Sequence, residues 1–202
     1  MGRRLGLLVG INHYQDSAFQ PLHFAETDAM MLTQWLSNAR GGGWASSDVL
    51  LRTGTNASKE QLEGLLARLC LGAAEPGDLV FIYFAGHTFL DEASGEGYLA
   101  CPFTRYHDAS TGIHLHSLVR QVLLPSRAAQ VVLMLDCFQT GQAWDALRAT
   151  PFDARPFVGG QVNTSLLQRQ GRLLYYSCRA ISSHPKRVSD SLARSPTPPS
   201  LD

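Results

Sequence analysis

Two short apolar runs limit what this chain can fold into, because each stops at a residue able to do chemistry. Phe81-Ile82-Tyr83-Phe84-Ala85-Gly86 leads to His87, and Val131-Val132-Leu133-Met134-Leu135 leads to Asp136 and Cys137. Continuous apolar runs of this kind fit strands buried on both faces, the signature of a parallel sheet covered by helices. As neighbouring parallel strands they would bring an imidazole, a carboxylate and a thiol to one sheet edge. Open α/β sheets carry their sites there, outside the carboxyl ends of the strands.

The other segments supply the rest of such a fold. Leu5 to Ile11 is a further buried strand, and Val49 to Leu51 a short one. Phe24, Met31, Leu32, Trp35 and Leu36 recur at helical spacing, and Gly41-Gly42-Gly43 ends that helix. Ser58 with Gln61 forms a capping box ahead of the stripe Leu62, Leu65, Leu66 and Leu69. Pro76-Gly77-Asp78 turns the chain into the strand Leu79 to Phe84. A polar loop, Asp91 to Gly97, precedes the apolar stretch Tyr98 to Cys101. Leu115, Leu118, Val119, Val122 and Leu123 mark another helix closed by Pro125, and Leu173 to Ser177 a late strand. Strands alternating with helices predict an α/β sandwich on a mainly parallel sheet. The domain is expected over 1–181, followed by a disordered Ser/Pro-rich tail over 182–202.

Charge and cysteine usage narrow the function classes. Seventeen basic residues balance seventeen acidic ones, which argues against a nucleic-acid or anionic-membrane partner. No apolar run approaches bilayer-spanning length. Cys70, Cys101, Cys137 and Cys178 show no Cys-x-x-Cys spacing and read as reduced thiols of a cytoplasmic protein. His107, His114 and His116 include a His-x-His spacing. No cysteine or carboxylate stands at ligand spacing beside them, so no metal site is expected.

A thiol becomes a nucleophile when a base or a positive neighbour draws off its proton. His87 and Cys137 would supply that pair, with backbone N–H groups after His87 as oxyanion donors. Spacing alone fits packing equally well, because cysteines commonly end buried strands.

Four segments carry a resemblance that sharpens this: Leu7 to Tyr14, Leu22 to Ala29, Asp78 to His87 and Leu135 to Gly141. In order and separation they resemble the caspase and metacaspase peptidase family, most closely its bacterial, metacaspase-like branch. The resemblance implies a caspase-like three-layer sandwich. It also implies His87 as base and the backbone of Thr88 as oxyanion donor, with Cys137 in the family's nucleophile segment as the candidate thiol. Asp28 and Asp136 match the family's acidic specificity pocket, which implies a polypeptide partner carrying Arg or Lys. Calcium is used in the metacaspase branch, but Asp91, Glu92 and Glu96 lack the ordered Asp-x-Asp-x-Asp-Gly spacing, so no cofactor is assigned.

The chain departs from the family pattern at three places. Gly-His-Gly is here Gly86-His87-Thr88. The family's Asp-x-Cys-His-Ser-Gly aligns with Asp136-Cys137-Phe138-Gln139-Thr140-Gly141, which seats Phe138 in the nucleophile slot and Cys137 one residue early. In a strand, one residue turns a side chain to the opposite face unless a bulge intervenes. After Cys178, the family's last helix and strand are missing or diverged, which points to a partner chain or a homodimer at the sheet edge. The expected function is a caspase-like regulatory or partner-binding module with impaired or lost peptidase activity. The alternative is an active cysteine endopeptidase cutting after Arg or Lys through a His87–Cys137 dyad.

Overall fold

The computed structural model describes residues 2–140 and 171–180. Among the described residues the strands are β1 (Arg4–Gly10), β2 (Val49–Thr53), β3 (Leu79–Leu90), β4 (Gly97–Leu99), β5 (Ile113–His114), β6 (Gln130–Thr140) and β7 (Arg172–Ala180). The helices are α1 (Ala25–Ser37), α2 (Lys59–Ala67) and the short α3 (Leu115–Leu118), which a wider turn continues to Leu123. β2, β1, β3, β6 and β7 lie side by side and parallel. β4 pairs antiparallel with the far end of β3, and β5 with β4. This is the α/β class expected from the alternating pattern. The expected tail over 182–202 and the question of a last strand lie outside the described residues.

The central strands are buried on both faces, and alternation sends their side chains to two cores. Ile82, Phe84, Leu133 and Leu135 join the core beneath α2 and α3, with Leu7, Val9, Leu62, Leu66 and Leu118. Tyr83 and Ala85 join the opposite core, where Ala25, Ala29 and Leu36 of α1 pack on Leu8. Gly10 permits that contact, since a Cβ there would lie 2.3 Å from the Ala25 carbonyl oxygen. The start of α1 is tied to the exit of β1 by a reciprocal pair: Asn12 Oδ1 accepts from Glu26 N–H, and Glu26 Oε1 from Asn12 N–H, both at 3.2 Å. Ser58 caps α2 by accepting from the Gln61 amide, as its spacing predicts.

Two buried charges fix the strand starts. Asp78, just ahead of β3, accepts from the Glu75 amide, the Arg3 amide and the Arg3 guanidinium. Those bonds, led by the Glu75 amide, hold its carboxyl below the usual range against the opposing effect of burial. Arg172, opening β7, donates to the carbonyls of Leu123, Ser126 and Ala128, and so pins the turn between α3 and β6 to the start of β7.

The sequence places the end of the third strand at Phe84, whereas β3 continues to Leu90. Thr88, Phe89 and Leu90 find partners in Leu99, Tyr98 and Gly97 of β4, where β1 has already turned away. β6 likewise runs to Thr140, staying paired with β3 throughout.

Candidate active site at the ends of the central strands

β1 leaves the sheet after Gly10 and β4 joins at Thr88, with the His87 carbonyl already accepting the Ala100 amide, so the ladder on that flank of β3 has a gap from Gly86 to the His87 N–H. Tyr14 fills it: its hydroxyl accepts the His87 backbone N–H at 2.9 Å. A Cβ on Gly86 would stand 2.7 Å from that oxygen, which is why the position tolerates glycine. The His87 ring is fully buried, with Tyr14 at 5.0 Å and Phe19 at 5.7 Å between ring centroids. Its Nε2 lies 2.7 Å from the Gln20 carbonyl oxygen. Burial pushes the imidazole pKa down, opposed by the Gln20 and Phe138 carbonyls that face the ring. A neutral imidazole bonded in this way carries its proton on Nε2.

The strand register decides what stands beside that ring. His87 is paired with Phe138, Gly86 with Cys137 and Ala85 with Asp136. Alternation therefore puts His87, Asp136 and Phe138 on the α1 face and Cys137 on the other. Packing agrees: Cys137, 2% exposed, belongs to the core of Leu133, Leu135 and Phe84. Phe138 packs against the core of Tyr83 and Ala85, its ring centroid 6.3 Å from that of His87. The register between β3 and β6 is continuous, with no bulge to return Cys137 to the α1 face.

The two carboxylates singled out in the sequence share a neighbour. Asp136 is exposed, and the Tyr83 hydroxyl donates to its Oδ2 at 3.5 Å. Burial, and after it the charges of Asp136 and Asp28, push the Tyr83 hydroxyl pKa up. Asp28, exposed on α1, and Asp136, exposed within β6, thus both act on one phenol and together make an acidic surface beside it. Thr88 is buried inside the ladder, paired with Leu99 on one flank and Gln139 on the other. Its amide belongs to a strand paired on both sides.

Glu96, weighed in the sequence only for calcium, is beside the His-x-His pair: its carboxylate is 2.9 Å from His114 Nε2 and 4.0 Å from His116 Nδ1. The contact is made across the sheet rather than along the sequence, since β4, which Glu96 precedes, pairs with β5. Among the described residues, no group of three such side chains stands at metal-binding spacing. Sequence reasoning also missed Tyr14 and Gln20, whose hydroxyl and main-chain oxygen hold His87 from positions 73 and 67 residues away. Among the described residues no helix is long and apolar enough to cross a membrane.

His87 and the Asp136-Cys137 pair stand within adjacent, parallel strands of one sheet. The family model for the caspase domain matches residues 3–189, and the chain belongs to that family of cysteine peptidases. Among solved structures it is similar to protein GSU0716 from Geobacter sulfurreducens, at a TM-score of 0.54 and 13% identity over 83% of this chain. That likeness concerns the fold, and the chain spans 66% of the length of that protein. No curated protein matches the chain.

Proposed function

We propose that this caspase-family domain has lost peptidase activity through Cys137 and acts as a regulatory module that binds polypeptide segments carrying Arg or Lys. One observation carries the reading: Phe138, not Cys137, is the cross-strand partner of His87. Nucleophilic catalysis requires a thiol within hydrogen-bond reach of the base, roughly 3–4 Å allowing for sulfur. A thiol on the far face of the same strand reaches the imidazole only by breaking the register with β3. The acidic surface does not depend on that thiol. Asp28 and Asp136 supply two carboxylates to a cationic side chain, and a guanidinium can take two parallel bonds from such a site. Binding of a basic segment thus survives the loss of cleavage.

The test is turnover of fluorogenic peptides ending in Arg or Lys, with Cys137→Ala as the control, beside binding of the same peptides by anisotropy. The expected result is binding that Asp28→Asn or Asp136→Asn weakens, and a hydrolysis rate equal in the parent and Cys137→Ala proteins. Hydrolysis that disappears in Cys137→Ala would overturn the proposal.

A further inference from the structure

We infer that the segment bound at the acidic surface carries a large apolar side chain two positions from its Arg or Lys, and that the exposed flank of α1 receives it. This rests on the reading of Asp28 and Asp136 as the site for the basic residue. Phe24, Asp28, Met31 and Trp35 follow one another at offsets of four, three and four, so they form one flank of the helix. Three of them are large, apolar and open to water: Phe24 is 71% exposed, Met31 61% and Trp35 59%. They are not needed to seat the helix, because Ala25, Ala29 and Leu36 already bury its inner face.

Asp28 stands within this flank by the same helical spacing. Asp28 acts electrostatically on Tyr83 of β3, whereas Glu26, on the opposite side of α1, is tied to Asn12. The apolar ridge is therefore continuous with the carboxylate that would hold the basic residue. Spacing points to an extended occupant. Helical rise puts Phe24 about 6 Å before Asp28 and Met31 about 4.5 Å after it. In an extended peptide, side chains on one face repeat at about 6.6–6.8 Å. A basic side chain at Asp28 thus sets the side chain two residues away over Phe24 or over Met31. Charge and apolar surface together describe a segment of the form apolar-x-basic-x-apolar, in which either apolar position makes the contact.

Three fluorescent heptapeptides test this against the full chain by anisotropy. One has Arg with Leu two positions to each side; one has Ser at those positions; one keeps Leu and replaces Arg with citrulline. The first is expected to bind at least about tenfold more tightly than the second. The third is expected to show no binding in the same range. Phe24→Ser combined with Met31→Ser should remove the advantage of Leu and leave the affinity of the Ser peptide unchanged, with an unaltered melting curve as the control for folding. Equal affinity of the Leu and Ser peptides would overturn this inference while leaving the acid-pair reading standing. Failure of both Arg peptides to bind would remove the acid-pair reading itself. A change in oligomeric state of the double variant, with peptide affinities unchanged, would assign the ridge to a second copy of the chain and overturn the inference as well.

Discussion

Gly86→Ala and Tyr14→Phe are coupled in a way that reports directly on the seat of His87. Tyr14→Phe removes the acceptor of the His87 backbone N–H, a bond of 2.9 Å at a fully buried residue. Leaving a buried donor without its partner costs about 1–3 kcal/mol. Gly86→Ala introduces a Cβ 2.7 Å from the Tyr14 hydroxyl and 3.0 Å from the Phe84 ring, so the hydroxyl must move or the strand must bend. Overpacking of this kind also costs about 1–3 kcal/mol. The nearest atom that the new methyl meets is the one that Tyr14→Phe deletes. In that background Gly86→Ala is left with the Phe84 contact alone, and its cost falls. The expected interaction energy is about 1 kcal/mol, with the double variant more stable than the sum of the single effects. Urea unfolding of the four proteins, followed by tryptophan fluorescence and circular dichroism, measures it. Additivity to within about 0.3 kcal/mol would refute the account of how Tyr14 closes the gap beside His87.

Other perturbations probe the remaining parts of the site and its support. His87 is buried and its pKa is pushed down, so the unfolded chain takes up its proton first; stability should therefore fall as pH drops below about 6.5, and His87→Gln should flatten that slope. The imidazole resonances of His87 should accordingly remain those of the neutral Nε2–H tautomer at pH 6.5 in an NMR titration. Arg172→Met abandons three buried carbonyls and should cost about 3 kcal/mol in chemical unfolding. Arg172→Lys should recover only part of that, because an ammonium lacks the planar fork that reaches all three. Phe138→Cys combined with Cys137→Ala moves the thiol to the face of His87, and its alkylation by iodoacetamide should become faster than that of Cys137 in the parent protein. His87→Ala should slow that reaction again.

Much of the scaffold was legible because its signals are local. Apolar runs mark the central strands, Ser58 and Gln61 mark the start of α2, and the helical spacing after Phe24 marks α1. The consequence of the Asp136-Cys137-Phe138 order was legible for the same reason: strand alternation has a period of two, so one residue decides a face. Features made by long-range pairing were not legible. Thr88 to Leu90 lacks the look of a central strand, and stays extended because β4 returns to pair with it. The Gln20 carbonyl that faces His87 is main chain and leaves no mark in the residue type. Glu96 reaches His114 only once β4 and β5 pair, so the spacing along the chain misleads. Arg172 reads as an ordinary charge beside a strand, and its burial follows from where the turn after α3 leaves three carbonyls.

The central claim is that the thiol of Cys137 faces away from His87. It is tested most directly by an electrophile aimed at the acidic surface. A peptidyl acyloxymethyl ketone ending in Arg, incubated with the native full chain and followed by intact and peptide mass spectrometry, should leave Cys137 unmodified at times that fully label an active cysteine peptidase. Stoichiometric labelling of Cys137 that is lost in His87→Ala would contradict the account.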